Sequence, residues 1–176
     1  MMRRLVWLAA IGLAAPLAVQ AQATMNPVVS SAHEIFTRQA AFMMAAADEM
    51  PADKYNYSPT PGQLSFGHII SHVTQANNGV CAILSGNPAP GPKTSDTDSK
   101  EVLIAGMKAS FTFCDQTLTN LPDSKLGDTI TFFRGAQKPR ARALLELTDD
   151  LEDHYSQMAS YLRSNGLTPP SAQPQK

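Results

Sequence analysis

His72, Asp150 and His154 are the residues of this 176-residue chain whose types and spacing best fit a chemical site. Asp150 and His154 stand four apart, so on a helix they project from one face, one turn from each other. An imidazole and a carboxylate so placed can grip a divalent cation together. A third ligand from another helix would complete an open site, with water in the remaining position. His72 supplies that ligand, and zinc, nickel or manganese is the expected ion. His68, one turn before His72, is the nearest further group able to carry a proton. His154 also falls in an apolar stripe, one turn from Leu151 and Met158, where an unpartnered ring would cost on the order of 1–3 kcal/mol. The plainer alternative is an Asp150–His154 pair at the rim, with the other histidines satisfied by backbone or solvent. His33 reads as a packing residue near the stripe of its own helix, its other reading being a place in the same pocket.

Other chemistries find less support. Asp149, Asp150, Glu152 and Asp153 form an acidic cluster of the kind that usually makes a solvated face. The chain has no Gly-rich phosphate loop, no Gly-x-Ser-x-Gly elbow, no Cys-x-x-Cys and no His-Glu-x-x-His. Its two cysteines, Cys81 and Cys114, each fall near an apolar stripe and do not read as catalytic thiols.

Four helices must position these residues. The first starts at Asn26-Pro27, a cap residue with proline at the first helical position, and ends at Met50-Pro51. Val29, Ala32, Phe36, Ala40, Met43 and Ala47 form its apolar face. Residues 51–64 carry three prolines and read as an extended connection. The second helix spans about Ser65 to Leu84, with Thr60-Pro61-Gly62-Gln63 as an alternative capping box one turn earlier. Gly86 stops it, and 87–97 is a loop. Asp98-Ser99-Lys100-Glu101 has the pattern of a capping box for the third helix, which runs nearly to Leu121. Residues 122–138 are the least legible stretch, with a short extended piece expected at Thr129–Phe133. The fourth helix starts near Pro139 and stops at Asn165-Gly166. Residues 171–176 read as a flexible tail. If the second and third helices form an antiparallel pair joined at 86–97, Cys81 and Cys114 lie at matching heights, and a disulfide is expected there. The fold class is all-α, a four-helix bundle spanning residues 22–170.

The first residues name a compartment. Met1-Met2-Arg3-Arg4, an apolar run from Leu5 to Val19, and Val19-Gln20-Ala21-Gln22-Ala23 have the pattern of an export signal cleaved after residue 21. The mature protein is therefore expected to be periplasmic or secreted. Cleavage would remove two of the 14 basic residues and leave 12 against 15 acidic ones, a net charge of −3. That balance excludes a basic footprint for nucleic acid or anionic lipid. Past the signal no apolar run reaches the roughly 18 residues of a membrane helix, so no membrane insertion is expected. The expected partner is an unidentified small molecule, and a homodimer is left open.

Two blocks carry a family likeness. Met50-Pro51-Ala52-Asp53-Lys54-Tyr55-Asn56-Tyr57-Ser58-Pro59-Thr60, followed by Ser65-Phe66-Gly67-His68-Ile69-Ile70-Ser71-His72-Val73, resembles the DinB-like superfamily in its exported branch. So does the stretch from His154-Tyr155-Ser156-Gln157-Met158 to Leu167-Thr168-Pro169-Pro170. The resemblance implies a four-helix bundle with one long crossover. It implies a metal triad of one histidine on the second helix and two, four apart, on the fourth. His72 takes the first position and His154 the last, while Asp150 stands where the middle histidine would be. Aspartate ligates zinc or a harder ion, so a site survives the change. Relatives of this kind include thiol transferases and metal-dependent hydrolases. Hydrolysis suits an exported protein better, with a non-catalytic binding module that has lost its triad as the alternative.

Overall fold

The structure is a computed structural model that describes residues 26–91 and 93–174, so the export signal read at 1–21 lies outside the described residues. Four helices, α1 (Pro27–Glu49), α2 (Phe66–Ser85), α3 (Lys100–Thr119) and α4 (Arg140–Ser164), form an all-α bundle. A small antiparallel hairpin of β1 (Thr129–Thr131) and β2 (Gln137–Pro139) interrupts the α3–α4 connection. The hairpin confirms the extended piece expected near 129–133 and adds the partner strand that the sequence did not reveal. Among the described residues no helix is long and apolar enough to cross a membrane.

The helix ends follow their local chemistry with three adjustments. Ser65 Oγ accepts the His68 N–H and starts α2, whereas Thr60 and Gln63 merely close a turn through their backbone. Ser99, not Asp98, caps α3 by accepting the Val102 N–H, because Asp98 turns back to accept from the Ser95 N–H. Asn26 occupies the cap position of α1 without capping it. Its Oδ1 accepts the Asp123 N–H, and the Asp123 carboxylate accepts from Val28 N at 2.9 Å and Val29 N at 2.8 Å. The cap of α1 thus comes from the distant α3–α4 connection, where no local motif could announce it. Asp123→Ala should cost about 1–2 kcal/mol, read as a lower denaturation midpoint; an unchanged midpoint would refute this role.

Helix directions are fixed by pairs along each seam. Asn77 meets Ser110 and Cys81 bonds to Cys114, so α2 and α3 run parallel. Gln39 meets Glu152 and Phe42 stacks on Tyr155, so α1 and α4 also run parallel. Phe36 against Phe111 with His33 against Asp115 sets α1 antiparallel to α3, and Leu84 against Arg140 with His72 against Asp150 sets α2 antiparallel to α4. The disulfide expectation holds, but the antiparallel arrangement assumed for it does not. A parallel neighbour requires the chain to return along a helix of about 30 Å. Residues 86–99 can span about 46 Å when extended, enough for that return. This is the one long crossover.

The crossover lies against α2 and α3 as a strap. Thr94 O accepts from Ser71 Oγ and from Gln75 Nε2. A Cβ built on Gly106 of α3 would sit 2.5 Å from Thr94 Cγ2, so glycine is required where the strap passes. Inside, Phe36, Met43, Ile69, Ile70, Leu103, Met107, Leu144, Leu147, Leu151 and Met158 form one continuous core. Past α4 the chain folds back: Ser171 N donates to Tyr155 Oη, and Gln173 Nε2 donates to Glu49 Oε2. These contacts tie down the first residues of the expected 171–176 tail.

Candidate metal centre

The antiparallel seam of α2 and α4 brings His72 opposite Asp150 and His154. Asp150 Oδ1 is 3.6 Å from His72 Nε2 and 3.5 Å from His154 Nε2. The two imidazole rings lie with centroids 4.6 Å apart at 65°. One ligand atom from each of the three residues falls within 4.8 Å of the other two. Ligands about 2.0–2.2 Å from a tetrahedral ion stand roughly 3.3–3.5 Å from each other, so the two nitrogen–oxygen spacings need little change to hold one.

Burial sharpens the case. His154 is buried, 7% exposed, while the His72 side chain keeps 44% of its surface open to solvent. The group therefore has a dry floor and an open side. Asp150 Oδ2 and His154 Nδ1 are buried without a hydrogen-bond partner. Such orphans are rare in folded proteins; the Asp150 oxygen, at the cluster, calls for an ion or a water as its missing partner, whereas His154 Nδ1 is across the ring from the Nε2 that faces Asp150. The donor set of two imidazoles and one carboxylate suits zinc, nickel or manganese.

Burial by itself disfavours a charged imidazole at His154, but Asp150, with Asp153 and Gln157 nearby, outweighs it and raises the pKa above the ordinary 6.5. The protonated ring is thus favoured in the folded state. Its contribution to apo-protein stability should be fully present below pH 6.5 and fade as pH rises through the raised value. Metal affinity should move the opposite way, since an ion needs the neutral ring. An NMR titration of the His154 ring without metal reads this directly; a midpoint below 6.5 would contradict it.

The other candidate residues stand apart. His68 Nδ1 lies 3.3 Å from Asp96 Oδ2 on the crossover strap, and His68 is outside the group of three. His33 Nε2 pairs with Asp115 Oδ1 at 2.7 Å across α1 and α3, not at the α2–α4 seam that carries His72. Cys81 and Cys114 are joined and fully buried. Asp149, Glu152 and Asp153 of the acidic run form the exposed face expected of them, on which Glu152 binds Arg38 and Gln39, and Asp153 binds Gln157. Sequence reasoning missed Asp96, Asp115 and Gln157. Only the Gln157 contact had a local signal, its spacing of four from Asp153 and three from His154.

A four-helix bundle that presents two histidines and an aspartate from its second and fourth helices defines the class of protein. The family model described as the DinB superfamily matches residues 35–158, and the chain belongs to that superfamily. Solved structures agree on the fold. A DinB-like protein from Bacillus cereus ATCC 10987 aligns with TM-score 0.67 and 21% identity, covering 80% of this chain and 95% of that one. A conserved protein from Enterococcus faecalis aligns with TM-score 0.63 and 16% identity over 77% of this chain and 95% of its own. A variant of a mycothiol-dependent maleylpyruvate isomerase aligns with TM-score 0.62 and 10% identity, over 74% of this chain and 60% of its own. No curated protein matches the chain.

Proposed function

We propose that this chain is an exported divalent-metal-binding protein, and that the metal serves hydrolysis of a small molecule. The observation that carries the reading is the convergence of His72, Asp150 and His154, with Asp150 Oδ2 left unpartnered in the protein interior. His72 Nε2, His154 and the Asp150 carboxylate would hold the ion. Bound there, it supplies Lewis-acid chemistry, polarising a carbonyl and acidifying water. The chain's own residues do the rest. His154, buried among core side chains, holds its ring in one place, and Asp150 is clasped between both imidazoles. His68, one turn before His72 with Nδ1 toward Asp96, would be the nearest further group to carry a proton.

The Cys81–Cys114 bond supports an oxidising compartment. It favours hydrolysis over the thiol-dependent chemistry named for the distant isomerase neighbour. Elemental analysis of untagged protein tests the reading. Zinc, nickel or manganese near one equivalent supports it. Metal-free protein whose melting ignores all three ions overturns it and leaves the non-catalytic binding module.

A further inference from the structure

Because α2 and α3 run parallel, both end at one pole of the bundle, where the antiparallel α4 begins. The α3–α4 connection crosses this pole and is tied to the start of α4. Arg140 N donates to Asp128 O at 2.8 Å, and Ala141 N donates to Leu126 O at 2.9 Å. Between the connection and the helix ends lies a cavity of about 430 Å³, a size within the range of small-molecule sites. Leu84, on its wall, follows His72 by three turns of α2, about 18 Å along the axis. The cavity is therefore separate from the metal group.

Three charged side chains line it, and one is left uncompensated. Lys125 Nζ and Asp128 Oδ2 stand 3.5 Å apart and answer each other. Arg140 enters no ion pair among the described residues. Its Nη1 donates to the Leu84 carbonyl oxygen at the end of α2. Its Nε is buried without a partner, and among the described residues Nη1 is its one hydrogen-bonded guanidinium nitrogen. Nε and Nη2 form the edge of the guanidinium that matches the two oxygens of a carboxylate. A guanidinium N–H held away from water without an acceptor is costly, and an anion on that edge relieves the cost. The carbonyl ends of α2 and α3 do not stand bare against such an anion: Leu84 O takes Arg140, and Gln116 O takes Asn120 Nδ2. Leu84, Phe113 and Leu121 give the same cavity an apolar wall.

We propose that this polar cavity is a second ligand site, which binds a small organic carboxylate. Arg140 takes the carboxylate through Nε and Nη2, and Phe113 with Leu121 covers an apolar body. The ligand is a monoanion because the lining carries one unanswered positive charge, and its acid group is planar because the fork is planar. The proposal does not rest on the metal reading.

Benzoate, benzamide and inorganic phosphate are the probes. Each is titrated into the ¹⁵N-labelled mature protein and followed by the Arg140 Nε–H resonance, which is assigned by its loss in Arg140→Lys. Benzoate should shift that resonance saturably and bind at least about tenfold tighter than benzamide, which keeps the ring and the plane but not the charge. Phosphate should bind more weakly than benzoate, having no ring for Phe113 to cover. By calorimetry Arg140→Lys, which keeps the charge and loses the fork, should weaken benzoate at least about tenfold. That substitution also touches the end of α2, so the wild-type comparison of benzoate with benzamide decides by itself. Chelator treatment should leave benzoate affinity unchanged. An Arg140 resonance that ignores benzoate, equal affinities for benzoate and benzamide, or full benzoate affinity in Arg140→Lys would overturn the site. Phosphate binding as tightly as benzoate would overturn the organic class, and benzoate affinity lost with the metal would move the ligand to the α2–α4 group.

Discussion

His154→Ala is expected to strip the purified protein of its metal, from about one equivalent per chain to less than about a tenth. Losing an outer partner of a metal ligand already costs 10–100-fold in affinity, so losing a ligand should exceed roughly 100-fold. His154 is the sharpest position because it is the buried imidazole of the group and its Nε2 faces Asp150. His33→Ala is the matching control: its ring pairs with Asp115 on the other side of the bundle, and its removal should leave metal content untouched. Elemental analysis of the three proteins, each checked for helicity by circular dichroism, reads the outcome. Equal metal in wild type and His154→Ala would remove the α2–α4 group from consideration as the binding site.

Replacing both Cys81 and Cys114 by alanine should cost about 4 kcal/mol of stability. The bond spans a sequence separation of 33, and closing a loop of that length in the unfolded chain corresponds to roughly this value. For a domain of this size the melting temperature should fall by roughly 8–15 °C. The bond ties two parallel helices whose only covalent link is the long strap, so it acts where the topology leaves the widest chain freedom. Both cysteines are buried, and a reductant should act only once the bundle opens. Thermal melts of the variant and of oxidised wild type measure the difference; a shift under about 3 °C would refute the assignment.

The site was partly legible because its two α4 residues obey helical spacing. Asp150 and His154 can be placed on one face by counting, and Ser65 and Gly86 bound the helix that carries His72. Counting could not say which helix stands opposite which. The antiparallel pairing assumed for the cysteines looked natural for consecutive helices, yet α2 and α3 run parallel, since a strap with three prolines runs back along the bundle instead of turning. Asp123 illustrates the same gap: it caps α1 from 95 residues away, beyond the reach of any motif. Asp96 and Asp115, the partners of His68 and His33, also lie beyond the span of a local motif.

Four helices, most of their ends, their buried faces and the pair of groups on α4 are determined by the residue order alone, because caps, prolines and hydrophobic periodicity act within a few residues. Only the packed bundle decides that His72 faces Asp150, that Cys81 reaches Cys114 between parallel helices, and that the Phe133 ring packs against Gly79 of α2. Those relations depend on helix direction and on where the hairpin docks. Both are chosen by burial of the whole core rather than by any one segment.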